Sequence, residues 1–207
     1  MSDDMLLRTS LTSPFGRKVR MAAIVLGIEE QIQVVGANPL DENDSLRRQN
    51  PLGKMPCLVL PSGDVLYDSK TIVEYLCAYA NNSDLFPSQS LDLAIERSRI
   101  ALADGIIDAA LMMVYEGRFR EQSQKSEFWL SHQRGKVTRG LHAISQQLPP
   151  IAPGLTASSL SLASALGYLD WRQPVEWRSV HPELVAWLDE FNQRHPLLAA
   201  SLSEISV

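Results

Sequence analysis

The spacing of apolar positions divides the chain into an early part mixing short apolar runs with helical stripes, and a later part that is helical throughout. Met5-Leu6-Leu7 reads as a short strand, and Val19, Ala22, Ala23 and Leu26 follow at helical spacing. Gln31 to Gly36 alternates around Ile32, Val34 and Val35, which predicts a second strand. Pro39 to Asn50 is polar and turn-rich, with one short helix across Asp44 to Gln49. Cys57-Leu-Val-Leu60 and Val65-Leu66-Tyr67 flank Pro61-Ser-Gly-Asp64, so the pair reads as a β-hairpin with a four-residue connection. Asp68-Ser69 then opens a helix over Lys70 to Tyr79, with Ile72, Val73, Leu76 and Cys77 on one stripe. Helical crossovers imply parallel strands and the tight hairpin an antiparallel edge, so residues 1–80 predict a compact α/β domain.

Residues 81–90, which include Asn81-Asn-Ser-Asp84 and Pro87-Ser-Gln-Ser90, read as a linker. From Leu91 strand signals vanish, and residues 91–207 predict an all-α bundle. Leu91 to Arg120 carries Ile100, Ala103, Ile107, Leu111 and Val114 on one face. A second helix fits Gln124 to Leu148, stopped by Pro149-Pro150. Ser158 to Asp170 is apolar apart from small hydroxyls, the mark of a helix buried on all sides. Pro182 to Arg194 is amphipathic, and His195-Pro196 begins the tail.

Composition narrows the possibilities rather than choosing among them. The 207 residues, 45% hydrophobic and 21% charged, are those of an ordinary globular chain able to bury a substantial core. Nineteen basic against twenty-four acidic residues give a net charge of −5 with no basic block, which argues against nucleic acid as a partner. No apolar run approaches the roughly 20 residues that span a bilayer. The N-terminus, Met-Ser-Asp-Asp, lacks the basic and apolar regions of a signal peptide, so the expected compartment is the cytosol. Cys57 and Cys77 form no C-x-x-C pair and read as buried thiols. The four histidines are scattered without ligand spacing, so no metal is expected.

Ser13 suits the N-cap of the first helix, with Pro14 at the first helical position, where its missing N–H matters least. A hydroxyl there stands beside unpaired N–H groups and the positive end of a helix dipole, surroundings that favour anions and thiolates. Asp68-Ser69 has the same character at the start of the third helix. Met55-Pro56 precedes an apolar strand, and by its chemistry alone the bond is expected to be trans.

Four segments in this order, Ser13-Pro-Phe-Gly-Arg-Lys-Val-Arg20, Asn50-Pro-Leu-Gly-Lys-Met-Pro56, Asp68-Ser69 and Leu166-Gly-Tyr-Leu-Asp170, resemble the cytosolic glutathione S-transferases over essentially the whole chain. The small bacterial members that share a segment like Ala103-Asp-Gly-Ile-Ile-Asp-Ala109 look most similar. The resemblance implies a thioredoxin-like α/β N-terminal domain followed by an all-α helical domain. It also implies glutathione as co-substrate, a small electrophile as the other, a homodimer and a role in detoxification.

Ser13 stands where the family keeps its thiol-activating serine or cysteine, with Ser10 and Thr12 as nearby hydroxyls that could replace it. Serine in place of cysteine, and the missing C-x-x-C, argue against a disulfide oxidoreductase. The resemblance makes Phe15, Lys54, Met55, Pro56, Asp68 and Ser69 glutathione-binding. It implies a cis Met55–Pro56 bond, with Lys54 either reaching the glycine carboxylate or remaining solvated. Asp104, Asp108, Met112 and Tyr115, spaced at four, four and three, are the candidate electrophile-site residues, their two carboxylates suiting a polar or cationic co-substrate. One departure concerns stability: the family often places Asp three residues after Ser or Thr before the buried helix, and here Thr156 is followed by Ser159, a weaker partner for a capping box. The rival class is a non-catalytic binding or regulatory protein built on the same fold.

Overall fold

The computed structural model describes residues 4–203, so the polar N-terminus lies, but for Asp4, outside the described residues. The chain divides into two compact units: one holds the chain through Leu85 together with the segment from Pro196 on, the other holds Phe86–His195.

The first unit is built on a four-stranded sheet in the order β2-β1-β3-β4, formed by β1 (Met5–Thr9), β2 (Ile32–Gly36), β3 (Cys57–Val59) and β4 (Val65–Leu66). β1 runs parallel to β2, with Met5 opposite Ile32 and Thr9 opposite Gly36. It runs antiparallel to β3, with Leu6 opposite Val59 and Arg8 opposite Cys57, and β4 closes the antiparallel edge. β1 outruns the apolar triplet that marks it because Arg8 and Thr9 remain paired to neighbours on the ladder. Helix α1 (Pro14–Val25) buries Val19, Ala22 and Ala23 as expected, with Met21 beside them, while Leu26 falls at the C-cap and is only half-buried; helix α3 (Ser69–Tyr79) buries the expected stripe of Ile72, Val73, Leu76 and Cys77. A single turn, α2 (Leu46–Gln49), fills the polar stretch between β2 and β3.

Residues 90–195 form α4 (Ser90–Phe119), α5 (Glu127–Gln146), α6 (Ala157–Arg172) and α7 (Pro182–Arg194). The first ten residues of α6 are all buried, as its composition predicts. The core face of α4 departs from the predicted line: Leu111 and Val114 are half-buried, while Ile106, Ala110 and Met113 are buried beside Ile100, Ala103 and Ile107. α5 begins three residues later than its pattern suggests, because a short 3-10 turn (Gln122–Gln124) precedes it and Ser126 caps it, its Oγ accepting from the Trp129 N–H at 3.2 Å.

The departure at Thr156 is compensated from another helix. Thr156 and Ser159 do form the weak capping pair, the Thr156 N–H donating to Ser159 Oγ at 3.2 Å. The carboxylate missing from that box comes from Glu96 of α4, which is buried and accepts from the Ser158 N–H at 2.6 Å and from Ser158 Oγ at 3.0 Å. A carboxylate at a helix N-terminus satisfies orphan donors and complements the dipole. Near the other end of α4, buried Glu116 accepts from the Ser126 N–H at 3.0 Å, at the start of α5.

The tail differs from its expectation. His195-Pro196 does not end the regular structure; Pro196 opens α8 (Pro196–Ser203), which packs on α1 and belongs to the first unit rather than to the helical half. Arg17 Nε of α1 donates to the Ser201 carbonyl at 3.0 Å, and Leu198 is buried. Proline ends one helix but is equally at home in the first turn of the next.

Candidate functional site

The sheet register gathers three loops of the first unit at one end. β1 and β3 are antiparallel, so the C-terminal end of β1 lies beside the N-terminal end of β3, and the C-terminal end of β4 follows on the same side. The β1–α1 turn, the segment before β3 and the start of α3 therefore share one edge, and the positive ends of two helices come with them.

Ser13 is the N-cap of α1, in extended conformation, and is only 8% exposed. Its Oγ accepts from the Gly16 N–H at 3.2 Å, its own N–H donates to the Ser10 carbonyl at 3.1 Å, and its hydroxyl proton has no acceptor among the described residues. The neighbouring Ser10 and Thr12 hydroxyls are paired with each other at 3.0 Å. Phe15 is half-buried, with the Lys18 ammonium 5.7 Å from its ring centre. Gly16 is required by packing: a Cβ there would sit 1.9 Å from Thr9 Oγ1. Glycine lets α1 start directly against β1.

The Met55–Pro56 peptide is cis, as the resemblance implies and the dipeptide's own preference does not. The Met55 main-chain N–H and C=O have no partner among the described residues, which leaves both groups open to pair with a peptide-like ligand. Its side chain joins this segment to the first loop, the Met55 Sδ accepting from the Ser10 N–H at 3.1 Å. Lys54 is exposed, and its ammonium makes no hydrogen bond or ion pair among the described residues.

Asp68, rather than Ser69, is the N-cap of α3: its carboxylate accepts from the Lys70 N–H at 2.9 Å and from Ser69 Oγ at 3.3 Å. Asp68 is exposed and Ser69 buried, so an acceptor faces solvent beside the orphan N–H groups of a first helical turn.

The four candidate electrophile-site residues lie in the second unit, on α4, where their spacing keeps them within about 80° of one another around the helix. The stripe runs from buried to open: Asp104 is buried, Asp108 is exposed, and Met112 and Tyr115 are 39% and 36% exposed. Tyr115 carries a neighbourhood of its own, edge-on to Phe119 at 5.4 Å and with the Arg118 guanidinium 5.7 Å from its ring.

Both thiols are free and buried. Burial pushes Cys77 up to about 11, and raises Cys57 against the opposing influence of the Arg8 guanidinium. Among the described residues no three His, Cys, Asp or Glu side chains gather as a metal site, and no helix is long and apolar enough to cross a membrane.

Two contributors were not singled out from the pattern. Buried Asn50 shapes the turn before Met55, and buried Arg8 anchors the segment leading to it. The signal for Arg8 was present, a lone arginine directly after an apolar triplet; its partners lie far along the chain.

Residues 12–78 match the family described as the glutathione S-transferase N-terminal domain. Over 194 residues the chain is 32% identical to the uncharacterized GST-like protein YibF of Escherichia coli (strain K12), spanning 92% of this chain and 95% of that protein. The chain belongs to the glutathione S-transferase family. Among solved structures it is similar to a glutathione transferase family member from Pseudomonas fluorescens Pf-5 with bound glutathione, at 35% identity and a TM-score of 0.89, covering 96% of this chain and 98% of that one. A glutathione S-transferase from Methylobacillus flagellatus KT with glutathione bound is 33% identical, with a TM-score of 0.86 over 97% of this chain and 98% of that one. The fold is that of the glutathione S-transferases, a thioredoxin-like N-terminal domain followed by a helical domain.

Proposed function

We propose that this glutathione S-transferase family member binds glutathione and activates its thiol for attack on a small electrophile. The observation that carries the proposal is the Ser13 hydroxyl: buried, fixed by the Gly16 N–H, and with its own proton uncommitted beside the positive end of α1. Such a proton donates to a sulfur anion, and the donor and the dipole both favour thiolate over thiol. Each pKa unit of depression corresponds to about 1.4 kcal/mol, so one or two units from a free value near 8.5 need only a single good charge-assisted hydrogen bond with help from the dipole.

In this reading the thiol proton leaves to solvent, the thiolate forms a bond to the electrophilic carbon, and the departing group carries off the displaced electron pair. The open Met55 main chain pairs with the cysteinyl backbone, Asp68 and Ser69 with the γ-glutamyl end, and Lys54 with the glycine carboxylate, while Phe15 and Pro56 flank the peptide. Asp104, Asp108, Met112 and Tyr115 serve the co-substrate, the carboxylates favouring a polar or cationic one. Family membership supports a cytosolic homodimer with a role in detoxification.

The test is an ultraviolet thiolate titration of bound glutathione in the wild type and in Ser13→Ala. The wild type is expected to show a bound-thiol pKa well below the free value, with Ser13→Ala restoring it. Glutathione that binds with an unshifted pKa would leave Ser13 a helix cap and the chain a non-catalytic binding protein; no binding at all would end the glutathione reading.

A further inference from the structure

We infer that Arg8 is the positioning residue for the arm of the site that takes the glycine end of glutathione, an inference that rests on the function proposed above. Arg8 is the fourth of the five residues of β1, at the centre of the sheet, and is only 7% exposed, where a guanidinium is stable only with several partners. It has four. Nη2 donates to the Gly36 carbonyl at 3.1 Å and to Asp44 Oδ1 at 2.6 Å; Nη1 donates to Gln49 Oε1 at 2.9 Å and to Ser45 Oγ at 2.5 Å. All four acceptors belong to the connection from the end of β2 through α2.

That connection is organised around the carboxylate Arg8 holds. Asp44 also accepts from the Asn38 N–H at 2.7 Å and from the Leu46 N–H at 2.8 Å, and these donors, together with Arg8, keep its carboxyl below the ordinary range. α2 is one turn of four residues, far too short to persist by its own propensity. Its end passes directly into the site. The Asn50 N–H donates to the Leu46 carbonyl at 2.7 Å, Asn50 Oδ1 accepts from the Leu52 N–H at 3.0 Å, and Asn50 Nδ2 donates to the Lys54 carbonyl at 2.8 Å. Gly53, at φ +60°, makes the turn between them. A continuous series of bonds thus runs from Arg8 on β1 to the backbone of Lys54, whose ammonium makes no hydrogen bond or ion pair among the described residues and can meet a second carboxylate. Arg8 touches no ligand in this scheme; it decides where Lys54 stands.

γ-Glutamylcysteine, which lacks the glycine and its carboxylate, separates this arm from the rest of the site. Calorimetric titration of the wild type is expected to give tighter binding of glutathione than of γ-glutamylcysteine. Arg8→Lys, which keeps the charge but loses the fork, should weaken glutathione about tenfold, the order expected for lost hydrogen bonds to a charged group, and leave γ-glutamylcysteine unchanged. The bound-thiol pKa should stay at the wild-type value, and Arg8→Lys combined with Lys54→Met should bind glutathione no more weakly than Lys54→Met alone. Should Arg8→Lys fail to fold, Asp44→Asn removes one charged partner from the same clamp and is expected to reproduce the pattern with a smaller loss. Wild-type preference retained in the variants, or equal loss of both peptides, overturns the role of Arg8 while leaving the proposed function standing. A wild type that binds neither peptide overturns both.

Discussion

Replacing Gly16 by alanine tests how tightly the thiol-activating turn is built. Alanine is the better helix former by about 1 kcal/mol, so local propensity alone predicts a stabilised protein. Packing predicts the reverse. The new Cβ would lie 1.9 Å from Thr9 Oγ1, 2.9 Å from Thr9 Cβ and 3.2 Å from Thr9 Cγ2, whereas ordinary contact begins near 3.4 Å. Rotating the Thr9 side chain moves Oγ1 away but not Cβ, so α1 must retreat from β1 by about 0.5 Å at least, and by about 1.5 Å if Thr9 stays put. Thr9 is buried, so it has little room to yield. Overpacking of this kind costs about 1–3 kcal/mol. Set against the gain in propensity, a net loss of up to about 2 kcal/mol is expected, or a melting temperature lower by up to about 8 °C for a chain of this size. Thermal melts of the wild type, Gly16→Ala and Gly16→Ala with Thr9→Ala check it: the double variant removes the 1.9 Å contact but keeps the 2.9 Å one, so its recovery should be partial. Because the Gly16 N–H holds Ser13 Oγ, the displacement also predicts a bound-thiol pKa that rises toward the free value. A single variant that melts at or above the wild-type temperature refutes the packing argument.

The two thiols should be silent in the native protein. With Cys77 pushed up to about 11, roughly one molecule in a thousand carries its thiolate at pH 8, and labelling should speed up about tenfold per pH unit towards that value. Native protein should therefore consume almost no disulfide reagent at pH 8 while denatured protein reports both cysteines; rapid native labelling would contradict their burial. Glu96→Ala should destabilise the helical unit by about 1.5–3 kcal/mol in urea unfolding, since it leaves the buried Ser158 N–H without its acceptor, and Glu96→Gln should lose less. A loss for Glu96→Ala below about 0.5 kcal/mol, the scatter of neutral surface changes, would mean that solvent or Thr156 caps α6 unaided.

The features legible in the sequence are those set by neighbours within a turn or two. The stripe Ile72, Val73, Leu76 and Cys77 announced α3 because a helix repeats every 3.6 residues, and Ser13-Pro14 announced the start of α1 because capping chemistry spans three residues. The hairpin at Pro61-Ser-Gly-Asp64 was readable for the same reason, Gly63 taking the positive φ that the turn requires. The cis Met55–Pro56 bond was not readable from its own dipeptide, whose intrinsic preference is trans; it came from the family resemblance. α8 was hidden because Pro196 serves equally as the stop of one helix and the start of another, and only packing against α1 distinguishes the two.

Alone, then, the sequence determined the strands of the sheet, the helices other than α8, the buried stripe of α3, and that hydroxyls and a carboxylate stand at two helix starts. Tertiary structure decided the partners. Arg8 finds its acceptors 28 to 41 residues away, and Glu96 caps a helix 62 residues on. Gly16 is required by a threonine on the preceding strand. A buried charge or orphan N–H demands some partner, and many polar side chains would satisfy it; which one does so depends on where the register of the sheet and the crossing of the helices bring it.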